Sequence, residues 1–309
     1  MAMLFMAPGL KAASWVEHLQ AQDPGLDLRV WPNSGPPEEI EFILCWKHPL
    51  GEFRKYTNLK CIASLGFGVD HILRDPGLPP GVPVARLVDE AMTRAMSEYV
   101  VTAVLNHTRR FNLFRQDQAE KVWKPRSSLH TPEVHVGIMG LGTLGRHAAA
   151  TLRLLGFPVA GWSRTARQIE GVECFAGPER LDEFLARTDI LVCLLPLTPA
   201  TRDILDRRVF ARLPSGAYLI NAARGDHLVE EDLLAALDSG HLSGACLDVF
   251  RTEPLPEAHP FWSHPGIALT PHSASHTYPA DVAPQIVENY RRVRSGQAPL
   301  NRIDMDKGY

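Results

Sequence analysis

The chain predicts an α/β architecture built on open, mainly parallel sheets, and three observations carry that prediction. Short apolar runs alternate with helical patterns along most of the length. The alternation happens twice, once on each side of a polar stretch at residues 124–133 with prolines at both ends. A glycine-rich turn stands directly between a strand and a helix in the second half. Strands separated by helix-length segments need crossover connections, and crossovers make parallel sheets with helices on their faces.

In the first half, residues 3–7, 28–31, 42–46, 61–65 and 82–87 read as strands, each a short apolar run near turn residues. Residues 12–22 carry apolar positions at helical spacing. Residues 89–123 contain neither Gly nor Pro and read as one or two long helices, and 124–133 reads as a connection between domains. In the second half the strand candidates are 134–139, 159–163, 190–195, 217–221, 244–249 and 267–270. Helical patterns at 144–155, 180–187 and 231–239 separate most of them, and six strands at this spacing make a complete dinucleotide-binding sheet. A last helix, 280–294, follows the turn-rich segment 270–279.

Composition narrows the function classes. The 309 residues suffice for two medium domains, and 45% apolar with 22% charged residues is a globular balance rather than a disordered one. A net charge of −3 offers no general attraction for nucleic acid. No apolar run approaches the roughly 20 residues of a membrane helix. The apolar start, residues 1–10, has no basic region before it and is interrupted by Pro8-Gly9, so it reads as a buried strand rather than a leader. The cysteines Cys45, Cys61, Cys174, Cys193 and Cys246 are odd in number and form no Cys-x-x-Cys pair. Buried reduced thiols, no metal site and a cytoplasmic location are the expectation.

The turn Gly140-Leu-Gly142-Thr143-Leu144-Gly145 matches G-x-G-x-x-G in its proper setting. Gly140 allows a tight turn, Gly142 lets the backbone approach a pyrophosphate, and Gly145 lets helix and strand pack closely. The helix beginning there offers free N–H groups and a positive dipole end to phosphates. About 20 residues on, where NAD-binding chains place a carboxylate on the ribose, this chain has Gly161-Trp162-Ser163-Arg164, with Arg167 close behind. Arg164 can hold a 2′-phosphate through two parallel N–H bonds, with Ser163 as a further donor. The expected cofactor is therefore NADP(H), with NAD(H) as the lesser alternative.

Three further segments place polar residues just beyond strands of the same sheet: Asn221-Ala222-Ala-Arg224-Gly225, Asp248 through Glu253-Pro254, and Thr270-Pro-His272. Ligands of open α/β sheets bind beyond the carboxyl ends of the strands. An arginine there fixes an anionic substrate and polarises its carbonyl, a histidine supplies a proton, and a carboxylate favours the charged imidazole. His272 and His276 stand four apart, a spacing that binds metal on a helix, but 270–279 has no helical pattern and no metal is expected there.

With these motifs the chain resembles the D-isomer-specific 2-hydroxyacid dehydrogenases, and within them the glyoxylate/hydroxypyruvate reductase A branch. The resemblance runs nearly end to end through Gly66-Phe67-Gly68-Val-Asp70, Gly140 to Gly145, Trp162-Ser163-Arg164, Asn221 to Gly225, Asp248 to Pro254, Thr270-Pro-His272 and the tail Gly308-Tyr309. It implies Arg224 holding the substrate carboxylate and keto oxygen, and His272 as general acid paired with Glu253. It implies Asp248 near the nicotinamide, and Leu195, Pro196, Thr201 and Ala222 along the cofactor path. Trp46 and the turn Leu65-Gly66-Phe67-Gly68 would line the substrate pocket, the turn through its backbone N–H groups.

The same resemblance implies two Rossmann-like domains. One is a substrate domain of residues 1–98 and 274–309, the other a cofactor domain of 99–273, with a cleft between them. It implies a homodimer as well, with Trp123 in a segment that reaches the partner in some relatives. The activity it implies is NADPH-dependent reduction of glyoxylate or hydroxypyruvate. The alternatives are a dehydrogenase of bulkier 2-keto acids, or a dinucleotide-sensing protein resembling the C-terminal-binding-protein corepressors.

Overall fold

In the computed structural model, which describes residues 1–309, the chain enters a sheet at once. It runs through β1 (Ala2–Met6), α1 (Ala12–Gln22), β2 (Leu28–Val30), β3 (Ile40–Cys45), β4 (Cys61–Ser64), α2 (Asp70–Leu73) and β5 (Val84–Ala85). The strands lie in the order β2-β1-β3-β4-β5, and every pair is parallel. All five residues of β1 are buried, as expected of an unbroken apolar run covered on both faces.

The stretch without Gly or Pro forms two helices, α3 (Glu90–Thr108) and α4 (Phe111–Ala119). A second sheet follows with β6 (Val136–Met139), α5 (Thr143–Leu154), β7 (Val159–Ser163), β8 (Glu173–Ala176), α6 (Leu181–Leu185), β9 (Ile190–Cys193) and α7 (Arg207–Arg212). It is completed by β10 (Ala217–Asn221), α8 (Glu230–Asp238), β11 (Leu242–Leu247) and β12 (Ile267–Leu269). The order β12-β11-β10-β9-β6-β7-β8 is that of a doubly wound dinucleotide-binding sheet with one strand more than the six expected. The extra strand is β8. It pairs only with β7, has four residues and buries only Phe175 fully, too weak a pattern to show in sequence. Helix α7 was also not expected; its signal is Asp206, whose carboxylate caps the amides of Arg208 and Val209.

The chain then returns through α9 (Pro279–Arg294) to the first sheet. Two units result, Met1–Met92 with Thr277–Tyr309, and Thr93–His276. In the first unit α9 buries Val282, Ala283, Ile286, Val287, Tyr290 and Val293, a stripe at helical spacing, together with Met3, Phe5, Phe42 and Leu44 of the strands. The opposite face packs Leu4, Ile43, Ile62, Phe53 and Ile72. In the second unit one face holds Phe175, Phe184, Leu191, Leu219 and Leu247, the other Val100, Ile138, Leu152, Val192 and Ile220. None of the five cysteines forms a disulfide, and no helix is long and apolar enough to cross a membrane.

Candidate active site

The register of the second sheet puts one row of residues along its carboxyl edge. Trp162 pairs with Met139, Met139 with Cys193, Cys193 with Asn221, Asn221 with Leu247 and Leu247 with Leu269. Each polar segment singled out in this half leaves the sheet within a few residues of that row. The segments are those of Arg164, the glycine turn, Leu195-Pro196, Arg224, Asp248 with Glu253, and His272.

At the turn after β6, two glycines are required by protein and one is not. Gly140 has φ +105°, and a Cβ on it would lie 2.7 Å from the carbonyl oxygen of Leu194, where the strand order reverses between β6 and β9. A Cβ on Gly145 would lie 1.9 Å from the carbonyl oxygen of Gly140, so no other residue lets α5 approach β6 this closely. A Cβ on Gly142 would meet nothing within 4 Å. Gly142 is also the N-cap of α5 and makes no side-chain cap, so the first N–H groups of the helix, at Thr143 and Leu144, face the space it leaves open. These residues fit a bound pyrophosphate. Arg164 and Arg167 are exposed just past β7. The Ser163 hydroxyl donates to the carbonyl of Thr165 at 2.8 Å, so it closes the turn that presents Arg164 instead of serving as the further phosphate donor expected. Thr201 pins the loop after β9, donating to the carbonyl of Pro196 at 2.7 Å and accepting from the amide of Thr198 at 2.9 Å. The Leu195 side chain is buried in the core and Ala222 is buried at the end of β10.

Glu253 and His272 are in direct contact, with Nδ1 of the imidazole 2.8 Å from Oε2 and 3.1 Å from Oε1 of the carboxylate. A carboxylate only accepts, so Nδ1 carries the proton that faces Glu253. His272 adopts φ +52°, a left-handed conformation that a non-glycine residue holds only when its surroundings fix it. Asp248 does the fixing. Its carboxylate accepts from the Thr270 hydroxyl at 2.6 Å and from the amides of Ser273 and Ala274 at 2.8 and 3.0 Å, while its carbonyl accepts from the His272 amide at 2.8 Å. Asp248 is 1% exposed, and three donors offset the cost of burying it. Its visible work is therefore on the His272 loop. Tyr99 of α3 extends the network, its hydroxyl 2.7 Å from Thr270 Oγ1. Burial holds that phenol protonated.

Arg224 follows β10 on a turn built by Asn221, whose side chain accepts from the amide of Ala223 and donates to the carbonyl of Arg224. A Cβ on Gly225 would lie 1.9 Å from the carbonyl carbon of Phe250, so this glycine seats the arginine turn directly on the segment that leads to Glu253. Arg224 is half-buried, and its Nη1 donates to the carbonyl of Ala223 at 2.6 Å. His227 was not anticipated. It is fully buried, accepts from the Arg224 amide through Nδ1 at 3.2 Å and lies 3.3 Å from the carbonyl of Pro196 through Nε2. Its signal is local, a histidine three residues beyond Arg224 and able to reach back to the backbone.

In the first unit, Trp46 packs on the turn after β4, its ring 3.1 Å from where a Cβ of Gly66 would be. Two of the amides expected to face a substrate are already used: Leu65 donates to the carbonyl of Cys45 and Gly66 to the hydroxyl of Ser64. Phe67 and Gly68 supply the remaining amides of the turn. His276 lies in the non-helical segment before α9 and forms no donor cluster with His272.

The chain is similar to known proteins along its whole length. Residues 101–274 match the family model of the D-isomer specific 2-hydroxyacid dehydrogenase NAD binding domain. The glyoxylate/hydroxypyruvate reductases A of Yersinia enterocolitica and Serratia proteamaculans are each 42% identical to this chain, over 100% of both sequences. The crystal structure of a D-isomer specific 2-hydroxyacid dehydrogenase from Xanthobacter autotrophicus Py2, in complex with NADPH and MES, is 44% identical with a TM-score of 0.95. It covers 100% of this chain and 99% of its own. The NADPH-dependent glyoxylate/hydroxypyruvate reductase of Sinorhizobium meliloti, in complex with NADP and sulfate, is 38% identical with a TM-score of 0.92 and the same coverage.

Proposed function

The chain belongs to the D-isomer specific 2-hydroxyacid dehydrogenase family, and from that premise we propose that it reduces glyoxylate to glycolate and hydroxypyruvate to D-glycerate with NADPH. The observation that carries the reading is the contact of Glu253 with His272 at the same sheet edge as the glycine turn and Arg164. Bound NADPH supplies the hydride. His272 gives the proton from Nε2 to the carbonyl oxygen, while Nδ1–H stays on Glu253 and the carboxylate stabilises the imidazolium between turnovers. Arg224 binds the substrate carboxylate and stabilises the negative charge that develops on the oxygen. Asp248, Thr270 and Tyr99 keep the His272 loop in its left-handed conformation. Arg164, with Arg167 close by, holds the 2′-phosphate and so selects NADPH over NADH.

The same reading carries a homodimer and a cytoplasmic location. Helix α4 and the segment after it expose Phe111, Phe114, Val122 and Trp123, the last 97% exposed, and such apolar surface is the kind a second copy covers. Light scattering on the wild type and Trp123→Ala tests the assembly. A panel of 2-keto acids, assayed with NADPH and NADH by loss of nicotinamide absorbance, tests the activity. Turnover of glyoxylate and hydroxypyruvate with an NADPH preference is expected. Turnover of bulkier acids alone would reassign the substrate, and no turnover with cofactor-dependent partner binding would mark a sensor.

A further inference from the structure

The first unit holds a group of donors that this chemistry does not use. Cys45 ends β3, His48 follows in the next loop, and His71 lies in α2. A ligand atom from each lies within 4.8 Å of the other two, and all three residues are buried. His48 has no exposed side-chain surface, and its Nε2 is 2.7 Å from Oδ2 of Asp75. The carboxylate accepts, so Nε2 carries the proton of the neutral ring and Nδ1 is a bare lone pair. That Nδ1 is buried and has no hydrogen-bond donor. Asp75 is held in turn by the amides of Gly51 and Gly77 at 2.9 and 2.5 Å, which makes it a fixed partner of the imidazole. A carboxylate on one ring nitrogen with a lone pair presented on the other is how proteins orient a metal-bound histidine.

We infer that Cys45, His48 and His71 form a binding site for a thiophilic cation of the zinc or cuprous class, with Asp75 orienting His48. One sulfur and two imidazole nitrogens suit such ions and exclude Mg²⁺ and Ca²⁺, which take oxygen ligands. Bonds of about 2.0 Å to nitrogen and about 2.3 Å to sulfur place the donors roughly 3.5 Å apart, so the side chains close by about 1 Å on loading. The Cys45 thiol releases its proton to solvent as the sulfur–metal bond forms. With Zn²⁺, the thiolate and the Asp75 carboxylate bring the formal charge to zero, which a buried site requires. Trp46 lies between Cys45 and His48 in sequence and its ring meets His71 edge-on at 4.8 Å between centroids. A bound ion therefore fixes Trp46 against the turn at Gly66 and changes its fluorescence.

The test uses the full-length protein, stripped with chelator and titrated with Zn²⁺, anaerobic Cu⁺ or Mg²⁺ against a competing chromophoric chelator. The expected result is about one equivalent of Zn²⁺ or Cu⁺ retained per chain through gel filtration, and no Mg²⁺, with the tighter of the two naming the ion. Cys45→Ser and His48→Gln lose that equivalent, and Asp75→Asn weakens it roughly tenfold to a hundredfold. Cobalt loading gives the wild type a thiolate-to-metal charge-transfer band, which identifies the sulfur ligand even where a variant fails to fold. No retained equivalent, no charge-transfer band, or wild-type affinity in folded Cys45→Ser and His48→Gln would overturn the site.

Discussion

The two sheets share an architecture, but their carboxyl edges are built to different ends. In the second unit the edge opens outward. Gly142 leaves space in front of a helix N-terminus, Arg164 is exposed, and His272 meets Glu253 through Nδ1. In the first unit the corresponding edge turns polar groups inward, with Gly66 bonded to Ser64 and His48 to Asp75. A doubly wound sheet supplies a crevice at its carboxyl edge in either case. What distinguishes the two edges is which backbone groups the loops commit: the amides of Leu65 and Gly66 are bonded within the first, whereas no side chain caps the helix that starts at Gly142 in the second.

The largest expected break in that contrast is Arg224→Ala. Losing a charged donor from both substrate binding and oxyanion stabilisation lowers kcat/KM by about a thousandfold, through kcat and KM together. Steady-state kinetics with glyoxylate check it, and an unchanged kcat would remove Arg224 from the chemistry.

A pair of glycine variants separates packing from binding. Gly145→Ala drives a Cβ into the carbonyl of Gly140 and destabilises by roughly 3 kcal/mol or more. Gly142→Ala meets no protein atom, keeps the wild-type Tm and weakens NADPH binding. Calorimetry with cofactor titration distinguishes them; a lowered Tm in Gly142→Ala would show that its space serves the fold.

A histidine in each unit is held below the usual imidazole range by desolvation. Burial, helped by Arg110, pushes His107 down to about 4 where it stacks on Tyr218; burial lowers His48 too, and the carboxylate of Asp75 offsets only part of that. A folded-state pKa below the unfolded 6.5 means that the unfolded chain takes up the proton first. His107 therefore costs nothing above about pH 6.5 and destabilises progressively as pH falls to about 4, by about 3 kcal/mol. Denaturant melts of His107→Gln should be flatter over that window than those of the wild type. Equal slopes would contradict the assignment.

The smallest expected effect is the most selective. Arg164→Gln raises KM for NADPH about tenfold to a hundredfold and leaves KM for NADH unchanged, because only the charge-assisted phosphate bonds are lost. Equal losses with both cofactors would place Arg164 elsewhere in the mechanism.

Much of the second edge was legible because its chemistry is local in sequence. The glycines that permit the turn are adjacent to the strand and helix they join, and Arg164 stands at the end of the next strand. Glu253 and His272 each follow a strand by a few residues, so the parallel register brings them together. Groups whose role depends on contacts across the fold were not legible in the same way. The resemblance puts Asp248 near the nicotinamide, but nothing local in sequence shows that its carboxylate also accepts from Thr270, Ser273 and Ala274. The amide of Gly66 looked available until Ser64 was seen to take it. Cys45, His48 and His71 carry no metal spacing, since 22 residues and a strand separate the last two. The short edge strand β8 buries too little to leave a pattern.

Proton delivery by His272 is the claim on which the rest depends, and hydride transfer in His272→Gln measures it most directly. With NADPH affinity determined by nicotinamide fluorescence and transfer to glyoxylate followed by stopped flow, near-wild-type affinity and a rate lower by about 10²–10⁴ are expected. A transfer rate within tenfold of wild type, at saturating NADPH, would contradict it.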